Sequence, residues 1–233
     1  MRLTKYLKVK KLAGELNLTN SQAVTEIFDK TKCDFLEDLS KKIINDKNSK
    51  KFGDLIAFAF WIRKKNIFSI KKKNYNNEIR TGRGLTFHIT PSNVALNFAY
   101  SFVVSFISGN TNIVRVSNRD FEQNKIFFKI LNSIFKKKKY ILIKQSNIFI
   151  QYKYDNLISE KLSLICDNRI IWGSDKTINQ MRKFNLKPSC IEVLFPDKYS
   201  LSIINLNYIK KTNDKRLREI AFKFFNDSFL FNQ

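Results

Sequence analysis

Residues 82–117 read GRGLTFHITPSNVALNFAYSFVVSFISGNTNIVRVS. Leu85 to Ile89 is a short apolar, β-prone run, and Thr90-Pro91-Ser92-Asn93 breaks it. Val94 to Ser108 is almost wholly apolar, of helical length, and Gly109 stops it. Asn93 at its head offers a helix cap. Asn112 to Val116 is a second β-branched run. Strand, turn, buried helix, strand is a βαβ unit. The polar residues gather at the strand ends, and in open α/β sheets ligands sit outside the carboxyl ends of the strands.

The segments on either side extend the pattern. Asp120 to Phe135 carries Ile126, Phe127, Ile130, Leu131 and Ile134 on one helical face. Strands are expected at 147–152, 169–172, 190–194 and 201–204. Helices are expected at 156–166, 176–184 and 213–229. Strands alternating with helices imply a mostly parallel sheet covered on both faces. The fold class expected is therefore α/β, a doubly wound and mostly parallel sheet preceded by an N-terminal helical region. That region reads as helices at 22–29 (capped by Asn20-Ser21), 33–44 and 52–62. Lys71 to Asn77 reads as a linker, with a domain boundary near residue 78.

With 233 residues, 43% hydrophobic and 14% aromatic, the chain can bury a substantial core, which argues against disorder despite a net charge of +23. A charge of this sign suits a nucleic-acid partner. The lysines, however, run along the whole length, and Lys, Asn, Ile and Phe are abundant together, as in proteins from AT-rich genomes. Lys71 to Lys73 and Lys136 to Lys139 read as solvated connections. Cys33, Cys166 and Cys190 are far apart, with one histidine, His88. They form no metal-ligand set, and reduced cytoplasmic thiols are expected. His88 reads as a packed core residue. The run 94–107 is too short for a membrane span. Neither GxGxxG nor GxxxxGK[ST] occurs.

Three polar clusters fall at the expected strand carboxyl ends: Thr90-Pro91-Ser92-Asn93, Arg115-Val116-Ser117 and Gly173-Ser174. Arg115 can bond ribose hydroxyls or meet a phosphate. Gly173-Ser174 precedes a helix, where amides can face a pyrophosphate.

On HITPSNVALN (88–97), GNTNIVRVS (109–117), IIWGSDKTINQMR (170–182), DKYSLSII (197–204) and NDSFLFNQ (226–233), the chain resembles the aldehyde dehydrogenase superfamily. It is most similar to the LuxC-type long-chain fatty-acyl-CoA reductases that make aldehyde for bacterial luminescence. The resemblance implies an oxidoreductase that uses NADPH and an acyl-cysteine intermediate. It implies that Asn93 is the oxyanion-hole asparagine, an effect worth about 3–4 kcal/mol, and that Glu192 lies near the general-base position. Thr90, Pro91, Arg115, Ser117, Gly173 and Ser174 would then bind the cofactor, with arginine at 115 where ordinary members carry lysine. The implied acyl donor is acyl-CoA or an acyl-protein synthetase, and a homo-oligomer is implied. In the family the FNQ segment runs into the nucleophilic cysteine, so 79–233 reads as a cofactor-binding domain cut short of its catalytic domain. Two other functions stay open: a non-catalytic remnant or scaffold of the same fold, and a basic nucleic-acid-binding protein.

Overall fold

Leu85, Phe87 and Ile89 point to one side of a strand, Thr86 and His88 to the other, and all five are buried. A strand buried on both faces belongs at the centre of a covered sheet, and it occupies that place in the computed structural model, which describes residues 7, 9–17, 24–74, 78–153, 155–199 and 201–229. The strands are β1 (Lys10–Leu16), β2 (Leu85–Ile89), β3 (Thr111–Arg115), β4 (Ser146–Gln151), β5 (Asn168–Trp172) and β6 (Ile191–Phe195). The helices are α1 (Lys30–Asn45), α2 (Gly53–Trp61), α3 (Lys64–Asn74), α4 (Asn97–Ile107), α5 (Glu122–Phe135), α6 (Ile141–Gln145), α7 (Asn156–Ile165), α8 (Asp175–Met181), α9 (Leu206–Lys210) and α10 (Asp214–Phe229).

The sheet order is β1-β4-β3-β2-β5-β6. Every pair from β4 to β6 is parallel, and β1 joins β4 antiparallel. From β2 the chain winds outward through β3 to β4, then crosses back to β5 and β6 on the other flank. The fold is the expected α/β class, doubly wound and mostly parallel. The reversal of strand order falls between β2 and β5, the place where open α/β sheets bind their ligands, outside the carboxyl ends of the strands.

Two apolar layers cover the sheet. One packs α1, α2, α4 and α5 against Val114 and Phe149. Phenylalanine fills much of it: Phe98, Phe102, Phe127 and Phe128 all lie within 6.5 Å, centroid to centroid, of Phe149. Each fully buried ring contributes roughly 1.5–3 kcal/mol. The other layer packs Ile158 and Leu162 of α7 and Ile178 and Met181 of α8 against Phe87, Ile113 and Ile148. The expected α5 face is buried in full.

Several expectations are corrected. The N-terminal stretch is not helical throughout, because Lys10–Leu16 forms the edge strand β1. Its partner β4 lies more than a hundred residues away, out of reach of local periodicity. Gly14 makes that pairing possible: its φ is +75°, and a Cβ there would sit 1.9 Å from the Asn147 carbonyl oxygen. The expected helix at 22–29 lies partly outside the described residues. Within them, Glu26 makes a bridge with Thr81, and Asp29 caps α1 by accepting from the Lys32 N–H at 2.9 Å. Lys71 to Lys73 form the last turn of α3 rather than a linker, where cations complement the helix dipole. Residues 201–204 form no strand, since no neighbouring ladder takes their backbone groups among the described residues. The chain divides into two units, Met1–Pro196 and Asp197–Gln233. The second holds α9, capped by Asn205, and α10. Residues 230–233, with the FNQ segment, lie outside the described residues.

Candidate functional site

Thr90 follows β2 directly, and its hydroxyl donates to the Arg115 carbonyl at 2.8 Å. Because β2 and β3 pair in register at Ile89 and Arg115, this bond ties their carboxyl ends together. Arg115 is half-buried, and its guanidinium lies 4.8 Å from the centre of the Tyr152 ring just beyond β4. Its Nε is buried and has no hydrogen-bond partner among the described residues. A buried donor in that condition costs on the order of 1–3 kcal/mol until something accepts from it. Asn97, at the first turn of α4, carries a buried Oδ1 in the same condition. These two atoms are an acceptor and a donor waiting on the crest of the sheet, and neither Asn97 nor Tyr152 was singled out by the sequence.

Ser117 lies two residues beyond Arg115. Its Oγ accepts from the Arg119 N–H at 3.1 Å, and its carbonyl accepts from Gln151 Nε2 at 2.6 Å. Pro91, Ser92 and Asn93 form an irregular turn in which Asn93 is exposed. Asn93 does not cap the apolar helix. α4 starts later, with Leu96 at the cap position and no side-chain bond there, which leaves the Asn93 amide out of the helix terminus.

Gly173 follows β5, and its N–H donates to the Phe195 carbonyl at 3.3 Å. A Cβ on Gly173 would stand 3.1 Å from two Thr177 side-chain carbons, so glycine lets the turn close on α8. Ser174 caps α8, its Oγ accepting from the Thr177 N–H at 3.3 Å. Trp172 stacks on Phe195 with centroids 3.7 Å apart and planes 5° apart. Thr90, Pro91, Asn93, Arg115, Ser117, Gly173 and Ser174 thus all lie at the carboxyl ends of β2, β3 and β5.

Glu192 does not. It is the second residue of β6, paired in register with Arg169 near the amino end of the sheet. Arg169 is wholly buried, and its Nε and Nη2 donate to Glu192 Oε1 at 3.0 and 2.7 Å, while Nη1 donates to Ser163 Oγ at 2.9 Å. The Glu192 carboxylate is committed to a buried guanidinium on the wrong edge to act as a base beside Asn93. The signal in the sequence was Arg169 itself, a charge inside the strand NRIIW that must find a partner.

His88 is fully buried, and burial lowers its pKa to about 4. Its ring is neutral at neutral pH, and its neighbours fix the tautomer. Asn112 Nδ2 donates to Asn147 Oδ1 at 2.7 Å, so Asn112 Oδ1 is an acceptor, and His88 Nε2–H donates to it at 3.0 Å. His88 Nδ1 then accepts from the Ser101 hydroxyl at 2.8 Å, and Ser101 Oγ accepts from the Trp172 indole N–H at 3.2 Å. This is a packed core histidine, as expected, and it also sets the orientation of Trp172 at the head of the Gly173 turn.

A cavity of about 470 Å³ opens on one face of β5 and β6, walled by Trp61, Tyr100, Trp172 and Phe195 with Thr86 and Asn168 among its polar lining. None of Thr90, Pro91, Asn93, Arg115, Ser117, Gly173 and Ser174 lines it. Cys33 and Cys166 are buried and Cys190 half-buried, and burial raises all three thiols above their ordinary pKa. Among the described residues, no group of three or more His, Cys, Asp or Glu could hold a metal ion, and no helix is long and apolar enough to cross a membrane.

A family model described as acyl-CoA reductase (LuxC) matches residues 61–233. No curated protein matches the chain. Among solved structures, a crystal structure described as an aldehyde dehydrogenase from Burkholderia cenocepacia aligns at 14% identity with a TM-score of 0.42. The alignment covers 72% of this chain and 37% of that one.

Proposed function

The chain belongs to the LuxC family of acyl-CoA reductases, and from that membership we propose that it is the cofactor-binding part of an enzyme reducing long-chain fatty acyl-CoA to fatty aldehyde. The family match over residues 61–233 carries this reading. The crest of the sheet supports it: the reversal of strand order, a glycine turn beside it, and a buried cationic donor with no partner among the described residues.

The residues present fit a nicotinamide dinucleotide. Arg115 offers an Nε without a partner among the described residues, and a fixed positive charge, to a ribose hydroxyl or a 2′-phosphate, which favours NADP over NAD. Ser117, Thr90 and Pro91 border the same end of the sheet, and the Gly173-Ser174 turn brings backbone N–H groups near a pyrophosphate. When bound, the cofactor supplies the hydride. Asn93 donates its side-chain N–H to the oxygen of the acyl group as negative charge develops there.

In this reading the acyl group arrives from acyl-CoA or an acyl-protein synthetase and is held as a thioester on a cysteine. None of Cys33, Cys166 and Cys190 suits that role: Cys33 lies in α1, and Cys166 and Cys190 precede β5 and β6, so none stands at the carboxyl ends of the strands. The 233-residue chain by itself therefore forms no aldehyde. NADPH-dependent reduction of an acyl-CoA by the purified chain would sink this point. A cytoplasmic homo-oligomer completes the proposal.

Titration with NADPH and with NADH, read by nicotinamide fluorescence, tests the reading. NADPH binds saturably, and Arg115→Ala weakens it roughly 10- to 100-fold, the loss of one charge-assisted contact of about 1.5–3 kcal/mol. NADH is affected less. A folded chain with no saturable binding of either nucleotide overturns the proposal.

A further inference from the structure

Cys166 is the C-cap residue of α7, and Cys190 immediately precedes β6. Their sulfurs lie 3.9 Å apart. The segments that carry them are fixed on both sides. The Ile191 N–H donates to the Asp167 carbonyl at 3.1 Å and the Cys190 N–H to the Lys187 carbonyl at 2.9 Å. Lys187 Nζ reaches Asp167 Oδ1 at 2.7 Å, and Asp167 Oδ2 accepts from the Leu85 N–H at 2.8 Å. Cys166 is wholly buried, while Cys190 is partly open to solvent. About 2 Å separates this arrangement from a covalent bond, within reach of a χ1 rotation at Cys190.

We propose that Cys166 and Cys190 form a dithiol site that becomes a disulfide when a hydroperoxide reaches Cys190. The accessible Cys190 sulfur attacks the peroxide O–O bond and becomes a sulfenic acid, releasing water or an alcohol. The Cys166 sulfur then attacks that sulfur, the S–S bond forms, and the sulfenic oxygen leaves as water with the proton that Cys166 gives up. The two thiols lose two protons and two electrons in total, and the peroxide takes them up to give one water and one further water or alcohol. Burial raises both thiols above their ordinary pKa, so the reaction quickens as pH rises above neutral. Cys33 is the internal control. It is buried, and its S–H points at the Phe28 carbonyl, 3.5 Å away.

The bond would close the segment between Cys166 and Cys190, a separation of 24 residues, which contains β5, the Gly173 turn and α8. Cross-linking a loop of that length constrains the unfolded chain. The site stands on the sulfur geometry and is independent of the cofactor reading.

The test uses the full chain, treated with hydrogen peroxide at mildly alkaline pH, then unfolded and alkylated. In the expected result only Cys33 is alkylated, the intact mass falls by two hydrogens before alkylation, and one disulfide-linked peptide pair contains Cys166 and Cys190. The thermal midpoint rises by roughly 5–10 °C, and a reductant reverses both changes. Cys33→Ser keeps the cross-link, and Cys190→Ser abolishes it. Alkylation of all three thiols after treatment, a Cys190 sulfinic acid with Cys166 still alkylated, or a bond that includes Cys33 would each overturn the proposal.

Discussion

Replacing Glu192 by alanine isolates the energetics of the buried charge in β5. The Arg169 side chain is 0% exposed and that of Glu192 is 19% exposed. Two guanidinium N–H groups converge on Glu192 Oε1 at 3.0 and 2.7 Å, and the third contact, to Ser163 Oγ, carries no charge. The variant keeps the buried guanidinium and removes its facing carboxylate. Removing one member of a buried pair costs about 3–5 kcal/mol, most of it the desolvated charge left behind. Water can enter through the exposed fraction of the vacated space, which sets the expectation at the low end, about 3 kcal/mol. For a chain of this size that lowers the thermal midpoint by roughly 6–12 °C. Equilibrium urea unfolding measures it directly, with an unchanged m-value marking a loss of stability rather than a change of denatured state. Two companions bracket the result. Arg182→Ala removes a contact 3.7 Å from Glu192 Oε2 on a side chain 57% exposed, and costs at most about 0.5 kcal/mol. The double variant Arg169→Met with Glu192→Leu removes both charges together and recovers most of the loss. A loss under about 1 kcal/mol in Glu192→Ala would refute the reasoning, since the guanidinium would then be solvated or otherwise paired.

Stability should also fall with acid through His88. Its folded pKa, about 4, lies below the ordinary 6.5, so between these values the unfolded chain binds a proton that the folded one does not. The stabilisation is full above about pH 6.5 and is lost as pH falls toward 4. Between pH 7 and pH 5 the wild type loses about 2 kcal/mol by this route, and His88→Gln removes that component of the slope in paired urea titrations. An unchanged slope would refute the buried, neutral imidazole. Phe35→Ala tests the larger apolar layer: its ring is wholly buried and lies 5.6, 5.5 and 5.1 Å from Phe106, Phe135 and Tyr140. The expected loss is about 3–5 kcal/mol by denaturant unfolding, and a loss below 1 kcal/mol would mean the cluster repacks.

Local chemistry made the centre of this fold legible. The run LTFHI is apolar on its odd positions and polar at Thr86 and His88. The helix that follows offers Ser105 to Thr86 and Ser101 to His88, four residues apart on one face. Strand and crossover helix thus match each other, while the βαβ unit and the clustering of Thr90, Arg115 and Gly173 at one end were legible from the apolar runs and the polar breaks between them. The helix boundaries followed apolar periodicity closely at α5, α7 and α10, where one stripe faces the sheet or carries the amphipathic signal.

What the sequence determined alone was periodicity, sidedness and the order of elements, because these depend on neighbours within a few residues. Long-range pairing was decided only in three dimensions. β1 exists because β4 offers it an open edge and Gly14 tolerates the close approach. Residues 201–204 are also apolar and β-prone but find no ladder among the described residues, and so form no strand there. The same holds at the candidate site. Arg115 and Asn93 lie at a crest that the strand order predicts, whereas Glu192 is removed from it by the parallel register that sets it opposite Arg169. A carboxylate takes its role from the charge it faces, and here that charge sits on another strand, twenty-three residues away in the chain.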